Sequence, residues 1–464
     1  MLPEAFLTRM KQMLKEEYEP FLASCQKPET LSLRVNLLKG SAQKLAEQTD
    51  FLLEEVPWAK GGFYYRDDAR PGKHPYHEAG AYYIQEASAM APAAALGACP
   101  GEKVLDLCAA PGGKSTQIAS SMKGEGLLVC NEIHPARARI LSENIERMGI
   151  RNSLVVSHDP AVLSERFPEF FDRVLVDAPC SGEGMFRRSQ EAQREWSPET
   201  VKGCARRQAD ILDQAALMVR KGGRLVYSTC TFSKEENEET VFAFLKRHPE
   251  FEPETALPCF MISGDENLYR IEGERYLPGS MRFLPHRVKG EGHFLSCLHK
   301  KEDHSESAFL QKEDTYIKKG TAFCEMEKGI REREYKSFGE FQEEYLKVTL
   351  KGSCIKFGEQ LYLLPEGTPL LKGLKVLRPG LHLGTVRKER FEPSHALALY
   401  LKPREALHQY ELSLEEAERY LRGETFSAEG EKGWYLITVG GYSLGWGKLS
   451  GGIMKNHYPK GLRK

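Results

Sequence analysis

The sequence predicts an α/β protein: a doubly wound parallel sheet, with a small α+β module ahead of it and a compact module at the C-terminal end. Three observations lead there. From Lys103 onward, short apolar runs alternate with stretches of helical period: Val104-Leu105-Asp106-Leu107, Leu127-Leu128-Val129-Cys130, Val174-Leu175-Val176-Asp177 and Arg224-Leu225-Val226-Tyr227. Near-continuous apolar strands separated by helices belong to a sheet covered on both faces. The first run leads into a tight turn of small residues and then a helix, an arrangement that opens a crevice at the carboxyl ends of the strands. The chain has 464 residues, enough for about three domains at ~150 residues each, so the sheet leaves room for flanking modules.

Residues 1–90 read as the N-terminal module. Between Glu4 and Cys25, the apolar positions Phe6, Met10, Met13, Leu14, Tyr18 and Leu22 recur with helical spacing on a charged background. Leu31 to Asn36 alternates as a strand does, a mixed helix follows, and Gly61 to Tyr83 is rich in Tyr and Gly. Residues 91–299 hold the sheet, with Ala136, Ile140, Leu141, Ile145 and Met148 marking one connecting helix and Phe294 to Leu298 closing it. Residues 300–385 open with the mixed-charge run Lys300-Lys301-Glu302-Asp303-His304-Ser305-Glu306, a linker or surface insertion, and continue as a modest α/β module. Residues 386–464 form the last module, ending in Trp434 to Val439 and Leu444 to Lys448.

Composition narrows the class. Hydrophobic residues at 41% and charged residues at 28% exclude disordered and fibrous chains. Lys plus Arg number 65 against 66 Asp plus Glu, so a polyanionic partner must be held by local basic patches. The 11 cysteines are scattered, without a CxxC pair or a zinc-type Cys/His spacing. Free thiols, a cytoplasmic setting and no metal are expected. No apolar run approaches a signal sequence or the ~18 residues of a membrane span, and no heptad pattern argues for association, so a monomer with no membrane partner is expected.

The chemistry concentrates at strand ends. In Val104 to Thr116 an apolar strand runs into Cys108-Ala109-Ala110-Pro111-Gly112-Gly113-Lys114, then a helix. Small residues there let the backbone approach a ligand, and helix N-terminal amides face it, which suits a nucleotide or nucleoside. Neither GxGxxG nor GxxxxGK[ST] fits. The next strand ends at Cys130-Asn131-Glu132, where a carboxylate is placed to bind two ribose hydroxyls. Asp177-Ala178-Pro179-Cys180-Ser181-Gly182-Glu183-Gly184 and Ser228-Thr229-Cys230-Thr231 follow the third and fourth runs. In a doubly wound sheet these ends converge, so two thiols and an acid face the bound nucleoside. Cys99, Cys130, Cys204, Cys259, Cys297, Cys324 and Cys354 read instead as small buried hydrophobes.

Together, the Cys108 to Lys114 loop, the Asp177 to Gly184 motif and Ser228-Thr229-Cys230 resemble the S-adenosylmethionine-dependent RNA cytosine-5 methyltransferases of the Nop2/Sun class. Leu33 to Asn36, Gln85 to Met90 and Arg282 to His286 extend the match. Gly445-Trp446-Gly447-Lys448 and Lys455 to Arg463 resemble the bacterial F-type enzymes that modify 16S rRNA. The resemblance implies a Rossmann-like methyltransferase sheet and a C-terminal PUA-like RNA-binding module. It implies S-adenosyl-L-methionine as cofactor, held by Cys108, Ala109, Ala110, Pro111, Gly112, Gly113 and Lys114, by Glu132 at the ribose and Asp159 at the adenine, with Asp177 near the methionine end.

Cytosine C5 is too poor a nucleophile to take a methyl group unless a thiolate first adds at C6. The resemblance assigns that attack to Cys230, product release to Cys180, and stabilisation of charge near N3 to Asp177; the reverse assignment of the two thiols also stays open. An RNA substrate needs basic surface. Candidate patches are Arg187-Arg188, Arg206-Arg207, His286-Arg287 with Lys289, and the acid-free tail from Lys455 to Lys464. The implied partner is 16S rRNA or the 30S subunit. Alternatives are tRNA, 23S rRNA, a non-catalytic ribosome-assembly protein, and a nicotinamide-dependent oxidoreductase, the last disfavoured by the missing pyrophosphate fingerprint.

Overall fold

The computed structural model describes residues 2–254, 277–302, 332–387 and 390–464. The amphipathic start forms α1 (Glu4–Leu14) and α2 (Tyr18–Cys25). Their apolar stripe, Phe6, Met10, Met13, Leu14 and Phe21, is buried against Phe186, Trp196, Phe232 and Leu284, so the first helices pack over the cysteine loops. Next come β1 (Ser32–Val35), α3 (Ala42–Gln48), β2 (Leu52–Glu55), β3 (Gly62–Tyr65), α4 (Pro75–Glu78) and β4 (Tyr82–Ile84). The strands form an antiparallel sheet in the order β2-β3-β1-β4. Although β1 reads as half-exposed, all four of its residues are buried. The reason is a second interface: Arg34, 1% exposed, donates to Gly113 O at 3.2 Å and Thr116 Oγ1 at 2.7 Å in the neighbouring module.

The central module runs α5 (Ala91–Leu96), β5 (Lys103–Asp106), α6 (Gly113–Ser121), β6 (Leu127–Asn131), α7 (Pro135–Arg147), β7 (Ser153–Val156), α8 (Pro160–Arg166) and β8 (Phe171–Asp177). It continues with α9 (Gln190–Glu195), α10 (Pro198–Met218), β9 (Val219–Thr229), α11 (Glu238–Arg247), β10 (Phe251–Pro253), β11 (Ser280–Phe283) and β12 (His293–Lys300). Strands β9-β8-β5-β6-β7 are parallel, and β12 adds antiparallel to β9. The winding reverses between β5 and β8, the place where such sheets bind ligands. Alternate residues of each strand enter different cores: Val104, Leu128, Val155, Leu175 and Val226 on one face, Leu105, Val129, Leu154, Val174 and Leu225 on the other.

Two details differ from expectation. On α7 the buried residues are Ala138, Leu141 and Ile145, whereas Ile140 is 47% exposed and Ala136 is also exposed, so the buried stripe is narrower than the apolar positions suggest. The segment after the sheet is not self-contained. It forms α12 (Glu332–Tyr345), β13 (Cys354–Phe357), β14 (Gln360–Leu363), β15 (Val376–Pro379), β16 (Leu381–Arg387), β17 (Arg390–Pro393) and α13 (His395–Tyr400). Strands β13-β14-β16-β17 make their own sheet, but β15 pairs antiparallel with β7 and extends the central one. Arg378 of β15 fastens that edge to Ser142 and Glu146 of α7.

The last module comprises β18 (Gln409–Leu412), α14 (Leu414–Leu421), β19 (Phe426–Ser427), β20 (Gly433–Val439), β21 (Tyr442–Ser450) and β22 (Ile453–Asn456), ordered β18-β20-β21-β22-β19. Its Tyr420, Ile437, Tyr442 and Leu444 share one core with Leu33, Val35, Tyr76 and Tyr82 of the N-terminal module. Most of the mixed-charge run, from Asp303 onward, and Cys259 and Cys324 lie outside the described residues. No described helix is long and apolar enough to cross a membrane.

Candidate active site

The loop after β5 is shaped by its glycine and clamped by α7. Gly112 has φ of 112°, in the left-handed region, and an added Cβ would sit 3.2 Å from Leu141 Cδ1; a side chain there would be both strained and crowded. Arg137 donates to Ala110 O at 3.0 Å and Asn144 to Pro111 O at 2.9 Å. Asn131 ties neighbouring strand ends together, donating to Leu107 O and His158 O and accepting from the His158 amide. A cavity of about 890 Å³ opens above these ends.

Cys108, Ala110, Glu132, Asp159, Asp177, Cys180 and Cys230 line it. Ala109 is buried beneath, its amide bonded to Asn131 O at 2.8 Å. Pro111, Gly112 and Gly113 are not in the lining and serve the turn. Lys114 enters through a contact with Asp177. Glu132 is 3% exposed, accepts from the His134 amide at 3.0 Å and pairs with Arg137 at 3.2 Å. Asp159 is exposed; it lines the cavity and also caps α8, accepting from Ala161 N at 2.9 Å.

Lys114 Nζ lies 2.7 Å from Asp177 Oδ2, Ser228 Oγ donates to Oδ1 at 2.7 Å, and His293 Nε2 stands 3.5 Å from Oδ1. Burial alone would raise the Asp177 pKa, but the Lys114 ammonium and His293 outweigh it and hold the carboxyl well below the usual range. Lys114 is shifted upward: the pull of Asp177 exceeds the desolvation that would lower it. The pair is therefore ionic. Asp106, fully buried below it, accepts from Ser115 Oγ at 2.6 Å and has no partner for Oδ1 among the described residues. Burial pushes its carboxyl up to about 7.

Cys180 Sγ and Cys230 Sγ are 3.2 Å apart, and both are free thiols. The hydrogen bond to Cys230, reinforced by burial, pushes the Cys180 thiol upward. Either thiol can donate in that contact, and the Cys230 amide also donates to Cys180 Sγ at 3.4 Å. Glu236 fixes their loops: it accepts from the Ser181 amide at 2.9 Å, from Ser181 Oγ, and from Gln208 Nε2 at 2.8 Å. Gly184 N bonds to Cys230 O at 2.8 Å, joining the two loops directly. Glu183 accepts from Phe232 N at 2.9 Å, Trp196 Nε1 at 3.0 Å and Arg9 of α1 at 2.8 Å. Burial raises the pKa of both glutamates.

Sequence reasoning missed Glu236, His293 and Arg9 as site supports. Glu236 sits in an acid-rich run before α11 that reads as a helix start, and Arg9 looks like solvent-facing charge. Of the other cysteines, Cys130, Cys204, Cys297 and Cys354 are buried as expected, whereas Cys99 is exposed.

Two of the four expected basic patches are occupied internally. Arg187 pairs with Glu291 at 2.6 Å, Arg188 with Glu29 at 2.6 Å, His286 and Arg287 with Glu17, and Lys289 with Glu54. Arg187–Glu291 lies within the central module, and the other pairs join that module to the N-terminal one. Arg206 and Arg207 are exposed, and Arg207 lines the cavity. In the tail, Tyr458 is 2% exposed and packs with Tyr420, and Lys464 pairs with Glu78 at 3.2 Å, leaving Lys455 and Lys460 exposed. Among the described residues no group of three His, Cys, Asp or Glu could hold a metal ion.

A Rossmann-like sheet with two thiol-bearing loops at its switch point, flanked by these modules, defines a methyltransferase of the RsmB/F type. Residues 93–299 match the family described as 16S rRNA methyltransferase RsmB/F. The chain belongs to the ribosomal RNA small subunit methyltransferase F family. Residues 2–87 match the N-terminal domain of 16S rRNA methyltransferase RsmF, residues 340–401 its first C-terminal domain and residues 407–464 its PUA domain. Ribosomal RNA small subunit methyltransferase F of Vibrio cholerae serotype O1 is 32% identical, over 99% of this chain and 97% of the relative. The enzyme of the same name from Escherichia coli O81 is 33% identical, over 99% and 96%. Among solved structures, a methyltransferase homologue from Pyrococcus horikoshii is similar at a TM-score of 0.54 and 28% identity, covering 64% of this chain and 95% of that one. NSun6 from Pyrococcus horikoshii, solved with SFG, shares the fold at a TM-score of 0.54 and 23% identity, covering 65% and 99%.

Proposed function

We propose that this chain methylates carbon 5 of cytosine in 16S rRNA, using S-adenosylmethionine, through a covalent adduct between Cys230 and cytosine C6. The observation that carries the reading is the approach of Cys180 and Cys230 to 3.2 Å beside the Lys114–Asp177 pair, on the wall of a nucleoside-sized cavity. The donor set fits the cofactor: Glu132 offers a buried carboxylate to ribose hydroxyls, Asp159 borders the adenine end, and Asp106 keeps an unpartnered buried oxygen below the loop. When bound, S-adenosylmethionine supplies an electrophilic methyl group.

Attack of the Cys230 thiolate forms the S–C6 bond and makes C5 an enamine carbon able to take the methyl. Loss of the C5 proton then expels the thiolate and restores the C5–C6 double bond. The Cys180 thiol, pushed upward by its contact with Cys230 and by burial, is poorly suited to attack, which favours Cys230 as nucleophile. Asp177, kept ionised, suits acceptance of a hydrogen bond from the cytosine amino group. Positive charge near N3 then falls to Lys114 rather than to a proton on Asp177. The terminal module and the exposed Arg206 and Arg207 support RNA binding by the single chain.

Tritium at C5 of cytosine in 16S rRNA tests the reading. Release that needs both S-adenosylmethionine and Cys230 is expected. Methylation of the RNA without tritium release would overturn the C5 assignment.

A further inference from the structure

A second cavity, of about 740 Å³, shares no lining residue with the first and is bordered by Gln117, Ser120 and Ser121 of α6. Three exposed lysines border it: Lys60 between β2 and β3, Lys123 after α6, and Lys402 after α13. Each comes from a different module. Elsewhere cations between modules are matched to carboxylates, as Arg188 is to Glu29; these three have no ion pair among the described residues, and Glu55 is the one acid in the described lining.

The floor is polar and incompletely satisfied. Gln117 is 7% exposed, and its Nε2 donates to Met90 O at 2.9 Å, which fixes the amide with Oε1 as a free acceptor. That Oε1 and Ser120 Oγ are buried without a partner. Burying such groups unpaired costs about 1–3 kcal/mol each, so a ligand that satisfies them gains accordingly. The site asks for an anion at the rim and an N–H or O–H donor inside. A nucleotide presents both: a phosphodiester, and a ribose hydroxyl or base amino group.

We propose that this cavity holds a nucleotide of the RNA substrate away from the target base, its phosphodiester against Lys60, Lys123 and Lys402 and a donor against Gln117 Oε1. The inference rests on the RNA substrate proposed above. It gives the long rRNA a second hold that spans the modules and sets its register relative to the crevice.

The test is binding of a fluorescent single-stranded 16S rRNA fragment to the full chain across a salt series. Each phosphate neutralised on a single strand contributes about 0.7 to the slope of log Kobs against log salt. A Lys60→Ser, Lys123→Ser, Lys402→Ser variant is expected to lose about 0.7 from that slope, the share of the one phosphodiester they hold, with an unchanged thermal midpoint, since all three side chains are exposed. A control with Lys351→Ser, Lys372→Ser and Lys432→Ser, equally exposed and equal in charge change, keeps the wild-type slope. An unaltered slope in the first variant, or an equal fall in both, overturns the inference. Formation of 5-methylcytidine by the wild type is scored separately. Its absence would overturn the proposed activity, while the slopes would still decide whether the cavity holds RNA.

Discussion

Replacing Lys114 by methionine removes the cation that keeps Asp177 ionised while leaving side-chain volume nearly unchanged. Breaking a buried ion pair by deleting one partner costs about 3–5 kcal/mol. The Asp177 side chain is 29% exposed toward the cavity and keeps its bond from Ser228, so about 2–3 kcal/mol is expected after solvent screening. At about 2–4 °C per kcal/mol for a domain of this size, the thermal midpoint falls by roughly 4–12 °C at pH 8. The pH dependence carries the sharper sign. In the wild type Asp177 is depressed, so its contribution is complete above the unfolded value of about 3.9 and is lost only as pH falls below it. In Lys114→Met, burial is opposed only by His293 and the Ser228 hydrogen bond, and the folded pKa is expected to rise above the unfolded one. Stability then declines as pH climbs through that raised value. Thermal denaturation between about pH 5 and 8 measures the variant's decline against a wild-type Asp177 contribution that is constant over that range. Lys114→Met with Asp177→Asn, which removes both charges, should recover most of the loss. A single variant whose midpoint is flat or rises with pH, or a double variant no more stable than the single, would refute the reasoning.

Cys230→Ala is expected to abolish 5-methylcytidine formation, and Cys180→Ala to accumulate protein covalently attached to RNA on denaturing gels. Glu132→Ala removes the carboxylate offered to the ribose; at about 1.5–3 kcal/mol for hydrogen bonds to a charged group, calorimetry should show cofactor affinity falling roughly 10- to 150-fold with the thermal midpoint nearly kept. Glu236→Gln replaces an anion that accepts three hydrogen bonds by a group with its own donors, so kcat should fall roughly tenfold or more while cofactor affinity is unchanged. Loss of cofactor affinity in that variant would contradict its place behind the cysteine loops.

The sheet was legible because Val104, Leu128, Val174 and Leu225 lie in short apolar runs between helices, and the thiols and acids follow those runs at strand ends. β7 went unread: Ser153-Leu154-Val155-Val156 is short and opens on a polar residue, though all four are buried. β15 was hidden for a different reason. Val376–Pro379 is an edge strand whose partner, β7, is remote in sequence, and its Arg378 makes sense only beside Glu146. Contacts between modules were likewise invisible. Arg188, Arg287 and Lys289 read as RNA-facing charge because nothing local announces Glu29, Glu17 or Glu54 as partners. The loop residues divided by backbone geometry: the motif marks Cys108 through Lys114 alike, but the fold turns Cys108 and Ala110 to the cavity and leaves Gly112 to the turn.

The most direct test of the central claim is incubation of the full chain with methyl-labelled S-adenosylmethionine and unmodified 16S rRNA, 30S subunits or tRNA, followed by nucleoside analysis. The account predicts label in 5-methylcytidine from 16S rRNA or 30S subunits, and none with Cys230→Ala. Label in another nucleoside, label confined to tRNA, or an active Cys230→Ala enzyme would contradict it.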